Sequence, residues 1–304
     1  MNANFAPGLR VAGLTLAIGL LITGIVRAEV GVAIPVGSSA PRVLYVMDIT
    51  EDPSPIGNIW RRVGTPDQSR IVLNPDGEAN GDGTPSIVAD PVTGLIAAAW
   101  SRNSASGTDV VVSKLESGAW TAPQVVVGGS ANELDPQFVL APDGSVHMFY
   151  WVDGATPQVF HRVAPADLSA WSAPDLVSQP GEASLRPAGA FYNGVLRVAY
   201  EVHNFGNGNT PRQVVLARFE NGTFTPEIVA MTNNLADVRP QVHGHAGHLW
   251  VDWVDHESAE CSGEIAWTRL NAQGQWETIQ YASFADREER DYRARAGVRL
   301  QAIE

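Results

Sequence analysis

The chain has 304 residues, of which 44% are hydrophobic, and its 33 acidic and 20 basic side chains give a formal net charge of −13. This length is enough to bury a large core in one or two domains. The net negative charge argues against nucleic-acid binding, because phosphate contacts need clustered positive side chains. The single cysteine, Cys261, excludes an intramolecular disulfide and a cysteine-rich metal site.

The N-terminus has the pattern of a secretory signal peptide. Arg10 precedes an apolar run at 11–26, and Ala28 offers a small residue at a cleavage point. An uncleaved membrane anchor is the alternative, because the run approaches the shortest length that spans a bilayer. Cleavage predicts a secreted or periplasmic protein with no membrane association. The predicted order is a signal peptide at 1–28, a leader at 29–41 and a folded domain at 42–304.

Short strands follow the leader. Residues 43–47, 56–63 and 69–73 each predict a strand, because they are rich in apolar and β-branched residues and are bounded by turn formers. This first unit lacks the opening strand and glycine turn with which every later unit begins.

Four later units share one pattern. Each opens with a dipeptide ending in proline, passes through a strand to a glycine turn, and continues into a second strand that ends in an aromatic residue. The openings are Thr84-Pro85, Asp135-Pro136, Arg186-Pro187 and Arg239-Pro240. Their prolines are 51, 51 and 53 residues apart. A period near 50 residues is typical of propellers and other repeat arrays.

A third strand and an aromatic closing segment complete each unit. The closing aromatic residues, 51, 53 and 52 residues apart, are Trp120, Trp171, Phe224 and Trp276. Four strands joined by short turns form one blade of a β-propeller. Residues 295–303 match the opening of a blade and would supply the strand that the first unit lacks. We therefore predict an all-β, five-bladed β-propeller whose first blade is closed by N- and C-terminal strands, a closure that leaves no exposed sheet edge.

The closing segments resemble the BNR or Asp-box repeats of sialidase-type propellers. In that family a Ser/Thr-x-Asp-x-Gly-x-Thr-Trp hairpin lies between the third and fourth strands of a blade. The best copies here are 113–120 and 271–276, and both lack the family aspartate. The resemblance implies a sialidase-like propeller across about residues 42–304, with the hairpins serving folding and not chemistry. By blade number, the chain is also similar to furanosidase-type glycoside hydrolases and to some lectins.

One channel mouth is the predicted site. The first strand of each propeller blade lines the channel, and its start faces the mouth where loops converge and ligands usually bind. The repeat register places there Thr84, Asp135, Arg186, Arg239 and, without a following proline, Arg295. Three arginines on consecutive blades would bind an anion, because guanidinium groups make bidentate, charge-assisted contacts. They resemble the three arginines with which a sialidase holds its sugar carboxylate. Alternatively, each arginine pairs with an acid of a neighbouring blade, for which Asp135, Asp237 and Asp291 are placed.

Loops after the second strands form the other half of this face. They carry Asp48, Glu51, Asp52, Arg102, Asp153, Glu201, His203, Asp255, His256 and Glu257. A glycosidase needs two carboxyl groups, one protonated and one ionised. The candidate catalytic residues are therefore Asp135, Glu201 and Asp255, and the candidate ligand-binding residues are Arg186, Arg239, Arg295, His203 and His256. Solvated loop carboxylates without a role are the alternative.

The sialidase resemblance also implies a tyrosine nucleophile activated by a glutamate, with Tyr200 or Tyr292 beside Glu201. Strand alternation, however, turns Tyr200 and Glu201 to opposite faces. His243 and His245 share a strand face, but no acidic or cysteine partner is fixed near them in sequence, so we predict no metal site there.

The sequence thus predicts a secreted, sialidase-like propeller that binds glycans, acidic ones among them, and leaves open whether it hydrolyses them. The expected partner is a glycan or another small anionic ligand. We expect a monomer with no cofactor. The alternative function is a non-catalytic lectin or protein-interaction propeller that uses the same face. Because the residues before the prolines differ between blades, one asymmetric site fits the sequence better than a repeated lectin motif.

Overall fold

The computed structural model describes residues 31–32, 44–49, 58–63, 70–72, 82–90, 92–203, 213–230, 236–245, 248–256, 263–271, 273–282 and 299–300. Every regular element within these ranges is a β-strand, which confirms the all-β prediction. No helix long and apolar enough to cross a membrane occurs among them. The predicted signal peptide lies outside the described residues.

All but two of the described strands form five antiparallel sheets, each built from strands that follow one another in the chain. The first sheet contains β2 (Leu44–Ile49), β3 (Asn58–Val63) and β4 (Arg70–Val72). The second contains β5 (Asp82–Ala89), β6 (Ile96–Asn103), β7 (Thr108–Glu116), β8 (Ala119–Trp120) and β9 (Gln124–Val127), with β8 and β9 both paired to β7.

The remaining three sheets have four strands each. The third contains β10 (Asn132–Leu140), β11 (Val146–Asp153), β12 (Gln158–Ala164) and β13 (Asp175–Leu176). The fourth contains β14 (Ala183–Tyr192), β15 (Val195–His203), β16 (Gln213–Glu220) and β17 (Thr223–Ala230). The fifth contains β18 (Ala236–His245), β19 (His248–His256), β20 (Gly263–Leu270) and β21 (Gln280–Ala282).

The turn between β14 and β15 shows why the first two strands of a repeat pair. Asn193 and Gly194 occupy it with φ angles of 50° and 72°. Two consecutive residues with positive φ form a type I′ turn, whose twist matches that of the two flanking antiparallel strands. Asn-Gly is the preferred sequence of this turn. Tyr192 and Val195 then face each other as the first pair of the hairpin.

Successive sheets pack face to face through apolar side chains. Val88 of the second sheet lies in one cluster with Phe138 and Met148 of the third. Phe149 of the third packs with Tyr200 of the fourth. A further cluster joins the fourth sheet to the fifth. Because the third and fourth sheets each pack against a neighbour on both faces, strands such as β11 and β15 carry apolar residues on both faces and do not alternate strictly.

The first strands of successive sheets lie side by side. β10 contacts both β5 and β14, β14 contacts β18, and β5 contacts β2. The openings of the repeats are thereby gathered along one line, as the sequence register predicts for strands that line a channel.

The two chain ends meet in a way that the sequence did not predict. β22 (Arg299–Leu300) pairs in parallel with β1 (Gly31–Val32), which lies inside the predicted leader. The first sheet has three strands in the described residues, and β22 is not one of them. β1 itself lies against β2 and β5. The antiparallel closure of the first sheet by a C-terminal strand is therefore not seen, and the five-bladed ring stays a prediction.

Candidate functional site

A β-bulge interrupts the first strand of the second, third, fourth and fifth sheets. The pairing register shifts between Gly83 and Ser86, Leu134 and Gln137, Leu185 and Ala188, and Val238 and Gln241. Each shift falls on the dipeptide that ends in proline, which cannot donate to the ladder and is tolerated at bulges. A bulge bends its strand and re-aims a side chain.

The residue before each of these prolines adopts the left-handed conformation. The φ angles are 48° for Thr84, 50° for Asp135, 50° for Arg186 and 55° for Arg239. This conformation costs a non-glycine residue about 1–2 kcal/mol. Strain of this kind persists only where the surrounding structure imposes it, and it is concentrated at functional sites. The four bulges therefore place four side chains at equivalent, strained positions in four successive sheets, which makes these positions candidates for a functional site.

Glu201 of β15 lies at the centre of the site. Its side chain is fully buried, with an exposed fraction of 0%, and the Arg186 side chain beside it is 40% exposed. Nη1 of Arg186 donates to Oε1 and Oε2 of Glu201 at 3.0 and 3.1 Å. Nε2 of His203 lies 2.8 Å from Oε2. The backbone N–H of Arg239, in the fifth sheet, donates to Oε1 at 2.6 Å.

These contacts decide the charge of Glu201. Burial by itself raises the pKa of the carboxyl, but the hydrogen bond from His203, the charge of Arg186 and the Arg239 N–H outweigh it. The net pKa is lowered, so Glu201 is ionised. Because an ionised carboxylate can only accept, Nε2 of His203 carries the proton that it donates.

Asp135 of β10 occupies the equivalent bulge in the third sheet. The indole Nε1 of Trp151 donates to Oδ2 of Asp135 at 2.6 Å. Burial raises the pKa of Asp135, although the hydrogen bonds from Trp151 and Thr84 and the charge of Arg186 act the other way. Thr84 in turn lies 3.2 Å from Ser101, Oγ1 to Oγ. A polar chain thus runs from the second sheet to the fourth along the line of bulges.

The structure brings five of the predicted site residues together: Asp135, Arg186, Glu201, His203 and Arg239. The buried oxygens of Glu201 accept hydrogen bonds from Arg186, His203 and the Arg239 N–H, and its catalytic role stays a prediction. Arg186 binds an acid of its own sheet, whereas the ion-pair alternative expected an acid of a neighbouring sheet.

The side chains of the other predicted site residues lie outside the described part of the structure. Asp255 and His256 lie at the end of β19, where Asp255 pairs with Asp237 in the ladder, but their side chains lie outside the described residues. Arg295 and Tyr292 lie outside them altogether.

Tyr200 faces away from the site. It is fully buried in the apolar cluster between the third and fourth sheets, as alternation along β15 predicts. Its hydroxyl has no hydrogen-bond partner among the described residues, and burial raises its pKa. Tyr200 is therefore not a nucleophile at this rim.

Trp151 is a site residue that sequence reasoning assigned only to the repeat. Trp151 lies opposite the residue before the bulge, the ladder position that Ser101 and Glu201 occupy in the neighbouring sheets, whereas Tyr150 holds the repeated aromatic position. The aromatic pattern of the sequence therefore hid its equivalence to Glu201. His243 has an acidic neighbour that its surrounding sequence did not indicate. Oδ1 of Asp252, in the next strand, lies 3.5 Å from Nδ1 of His243. Even so, no three His, Cys, Asp or Glu side chains in the described ranges lie close enough together to hold a metal ion.

Comparisons with known proteins bear on the fold. No protein-family model and no curated protein sequence matches the chain. Among solved structures, an α-L-arabinanase of Penicillium chrysogenum complexed with arabinobiose is 15% identical, with a TM-score of 0.58, over 84% of this chain and 80% of its own. An ulvan lyase bound to -[GlcA(1-4)Rha3S]- is 10% identical, with a TM-score of 0.60, over 84% of this chain and 69% of its own.

A Hadza microbial sialidase is also similar, at 15% identity and a TM-score of 0.53 over 75% of this chain. The chain spans 55% of the length of that sialidase. At such identities the likeness concerns the fold alone. The protein therefore has the all-β fold of propeller enzymes such as these.

Proposed function

We propose that the line of bulges forms the rim of a glycan-binding site, and that Arg186 and Arg239 bind an acidic group of the glycan. The observation that carries this proposal is the fixed position of Arg186, whose guanidinium is bound to the buried Glu201 while its side chain is 40% exposed. An arginine held in this way loses little entropy when it binds a planar anion. The ligand of the similar ulvan lyase contains a glucuronate unit, which supports an acidic sugar.

Asp135 is our candidate for the reacting carboxyl if the glycan is cleaved. It lies at the bulge next to that of Arg186 and is held by the Trp151 indole. Glu201 and His203 position Arg186 and do not touch the ligand. Asp255 remains the candidate second carboxyl, with Arg295 and His256 as further ligand contacts, from their place in the repeat.

A non-catalytic lectin is the second candidate, and one observation favours it. A glycosidase needs two carboxyl groups beside the scissile bond. With the oxygens of Glu201 occupied, Asp135 is the one carboxyl that the described residues place at the bulges.

The wider setting of this proposal is a secreted or periplasmic monomer. It rests on the signal-peptide pattern of residues 1–28. We also propose that the sheets close into a five-bladed ring with degenerate Asp-box hairpins. The meeting of β1 with β22 supports closure near the chain ends, and the turn before Trp120, with Ser117 and Gly118 at positive φ, supports the hairpins.

The test is binding of the purified protein to an array of uronate, sialoside, sulfated and neutral glycans. We expect binding to acidic glycans that falls by about tenfold or more in R186K, because lysine cannot reproduce the guanidinium fork. R269K is the matched control, since Arg269 pairs with Glu277 in the fifth sheet, away from the bulges. Binding to neutral glycans only, or equal loss in both variants, would contradict the proposal.

Cleavage is tested on the glycans that bind, by release of reducing ends. An enzyme loses turnover in D135N while it keeps binding. Saturable binding without turnover in the native protein would favour the lectin.

A further inference from the structure

Two carboxyl groups lie together between the second and third sheets, outside the line of bulges. Glu133 is in β10 and Asp109 is in β7. Only 5% of Glu133 is exposed, and its Oε2 has no hydrogen-bond partner among the described residues. The charge of Asp109 acts on the Glu133 carboxyl across the interface.

A buried carboxylate oxygen without a partner is unusual. More than about 90% of buried polar groups in folded proteins are hydrogen-bonded, and an unpaired one costs roughly 1–3 kcal/mol or more when charged. Burial and then the charge of Asp109 raise the pKa of Glu133 to about 7, against a weaker opposing hydrogen bond from its own backbone N–H. Protonation alone does not resolve the problem, because an O–H at Oε2 would lack an acceptor there.

The loop between β9 and β10 closes around this pair. The N–H of Gly129 donates to Oδ1 of Asp109 at 3.4 Å. A Cβ on Gly128 would lie 2.8 Å from that Oδ1, and one on Gly129 would lie 3.6 Å from Oε1 of Glu133. The two glycines therefore let the main chain approach both carboxyl groups closely.

We propose that Glu133 and Asp109 bind a calcium ion that ties the second sheet to the third. A cation gives the free Oε2 a partner and removes the repulsion between two carboxylates. Two carboxylates leave a coordination sphere incomplete, so backbone oxygens and water supply the rest. Ca²⁺ accepts six to eight oxygen ligands in flexible geometry, whereas Mg²⁺ demands a regular octahedron. This inference is independent of the function proposed for the bulges.

The test is thermal unfolding of the purified, chelator-treated protein at pH 7.5 with added CaCl₂. At 100 times the dissociation constant, we expect the Tm to rise by about 5 °C. E133Q should abolish the rise and D109N should reduce it. E116Q is the control, because Glu116 is an exposed acid at the far end of the same strand as Asp109, paired with Lys114.

Terbium luminescence provides a readout that does not depend on the stability of a variant. Tyr150 lies close enough to Glu133 for the carboxylate charge to act on its phenol, so its ring can sensitise Tb³⁺ bound to the pair. We expect saturable luminescence that Ca²⁺ displaces, with affinity at least about tenfold weaker in D109N. A Tm that does not respond to Ca²⁺, or Tb³⁺ binding equal in native protein, E133Q and D109N, would overturn the proposal.

Discussion

The backbone N–H of Arg239 donates to the Glu201 carboxylate at 2.6 Å, although the two residues lie 38 positions apart and in different sheets. The same carboxylate holds the side chain of Arg186. One buried group thus fixes an arginine side chain in the fourth sheet and a strained bulge in the fifth. The geometry of the proposed binding rim depends on Glu201 more than on either arginine.

Removal of the Glu201 carboxylate should destabilise the protein strongly. In E201A we expect a loss of about 3 kcal/mol in the free energy of unfolding, because breaking a buried pair leaves its partners unsatisfied. E201Q keeps the shape and should lose less. Urea unfolding measures both. The control is E220Q, which removes one acid from the exposed Arg218–Glu220 pair. Its free energy of unfolding should change by no more than about 1 kcal/mol. An equal loss in E220Q and E201A would contradict this role of Glu201.

The strain at the bulges can be measured at position 239. We expect R239G to be more stable than R239A by about 1 kcal/mol, because glycine adopts a φ of 55° without steric cost. Position 241 of the same strand lies beyond the bulge, and there the order should reverse, with Q241A more stable than Q241G. Chemical denaturation of the four variants provides the comparison, and R239A equal to or above R239G would show that the backbone is not strained.

Gly189 marks a close approach between the third and fourth sheets. A Cβ at this position would lie 2.6 Å from Phe149 Cε2 and 2.7 Å from Val139 Cγ2. G189A should therefore cost about 1–3 kcal/mol by overpacking. For G154A, whose added Cβ meets nothing within 4 Å in the described residues, thermal unfolding should show no comparable change. A G189A protein as stable as G154A would mean that these sheets are further apart.

The buried pair of His147 and His161 should make the protein sensitive to acid. Their rings stack with centroids 5.0 Å apart, and Nδ1 of His147 lies 2.7 Å from Nε2 of His161. Burial lowers the pKa of His147 to about 4, against the charge of Asp143. Burial and the charge of His147 lower that of His161 to about 3. Asp175 lies 3.8 Å from His161 but is exposed.

Both folded-state pKa values lie below the ordinary value of 6.5, so protons bind the unfolded chain more readily. The contribution of this pair to stability is fully present above pH 6.5 and is lost as the pH drops from 6.5 toward 4, by roughly 3 kcal/mol for His147 alone. Glu133, whose pKa is raised to about 7, contributes in the opposite direction over this range, so the pair is measured by comparing variants. Urea unfolding between pH 7.5 and 4.5 measures the change in each variant. H161F, which places a ring among Phe149, Phe219 and Phe224, should lose less stability than the native protein as the pH falls, whereas H248Q should follow the native protein. An equal loss in H161F and the native protein would contradict the assignment.

The repeat itself could be predicted from the sequence, because proline, glycine and the aromatic residues punctuate strands through local backbone chemistry. The spacing placed Asp135, Arg186 and Arg239 at equivalent positions, and the structure gathers their strands side by side. The conformation at these positions could not be predicted. A residue before proline normally prefers extended backbone, so the left-handed φ is imposed by the bulge and the contacts around it.

Contacts between residues far apart in the chain could not be predicted from the sequence for the same reason. The neighbours of Glu201 in the chain do not show that the Arg239 N–H will contact its carboxylate. The pairing of β22 with β1, and of Glu133 with Asp109, likewise depends on how separate sheets stack. Local sequence determined the strands, the turns and the residues that occupy the bulges. The tertiary structure alone decided which of those residues are buried and paired, because burial and charge pairing depend on neighbours distant in the chain.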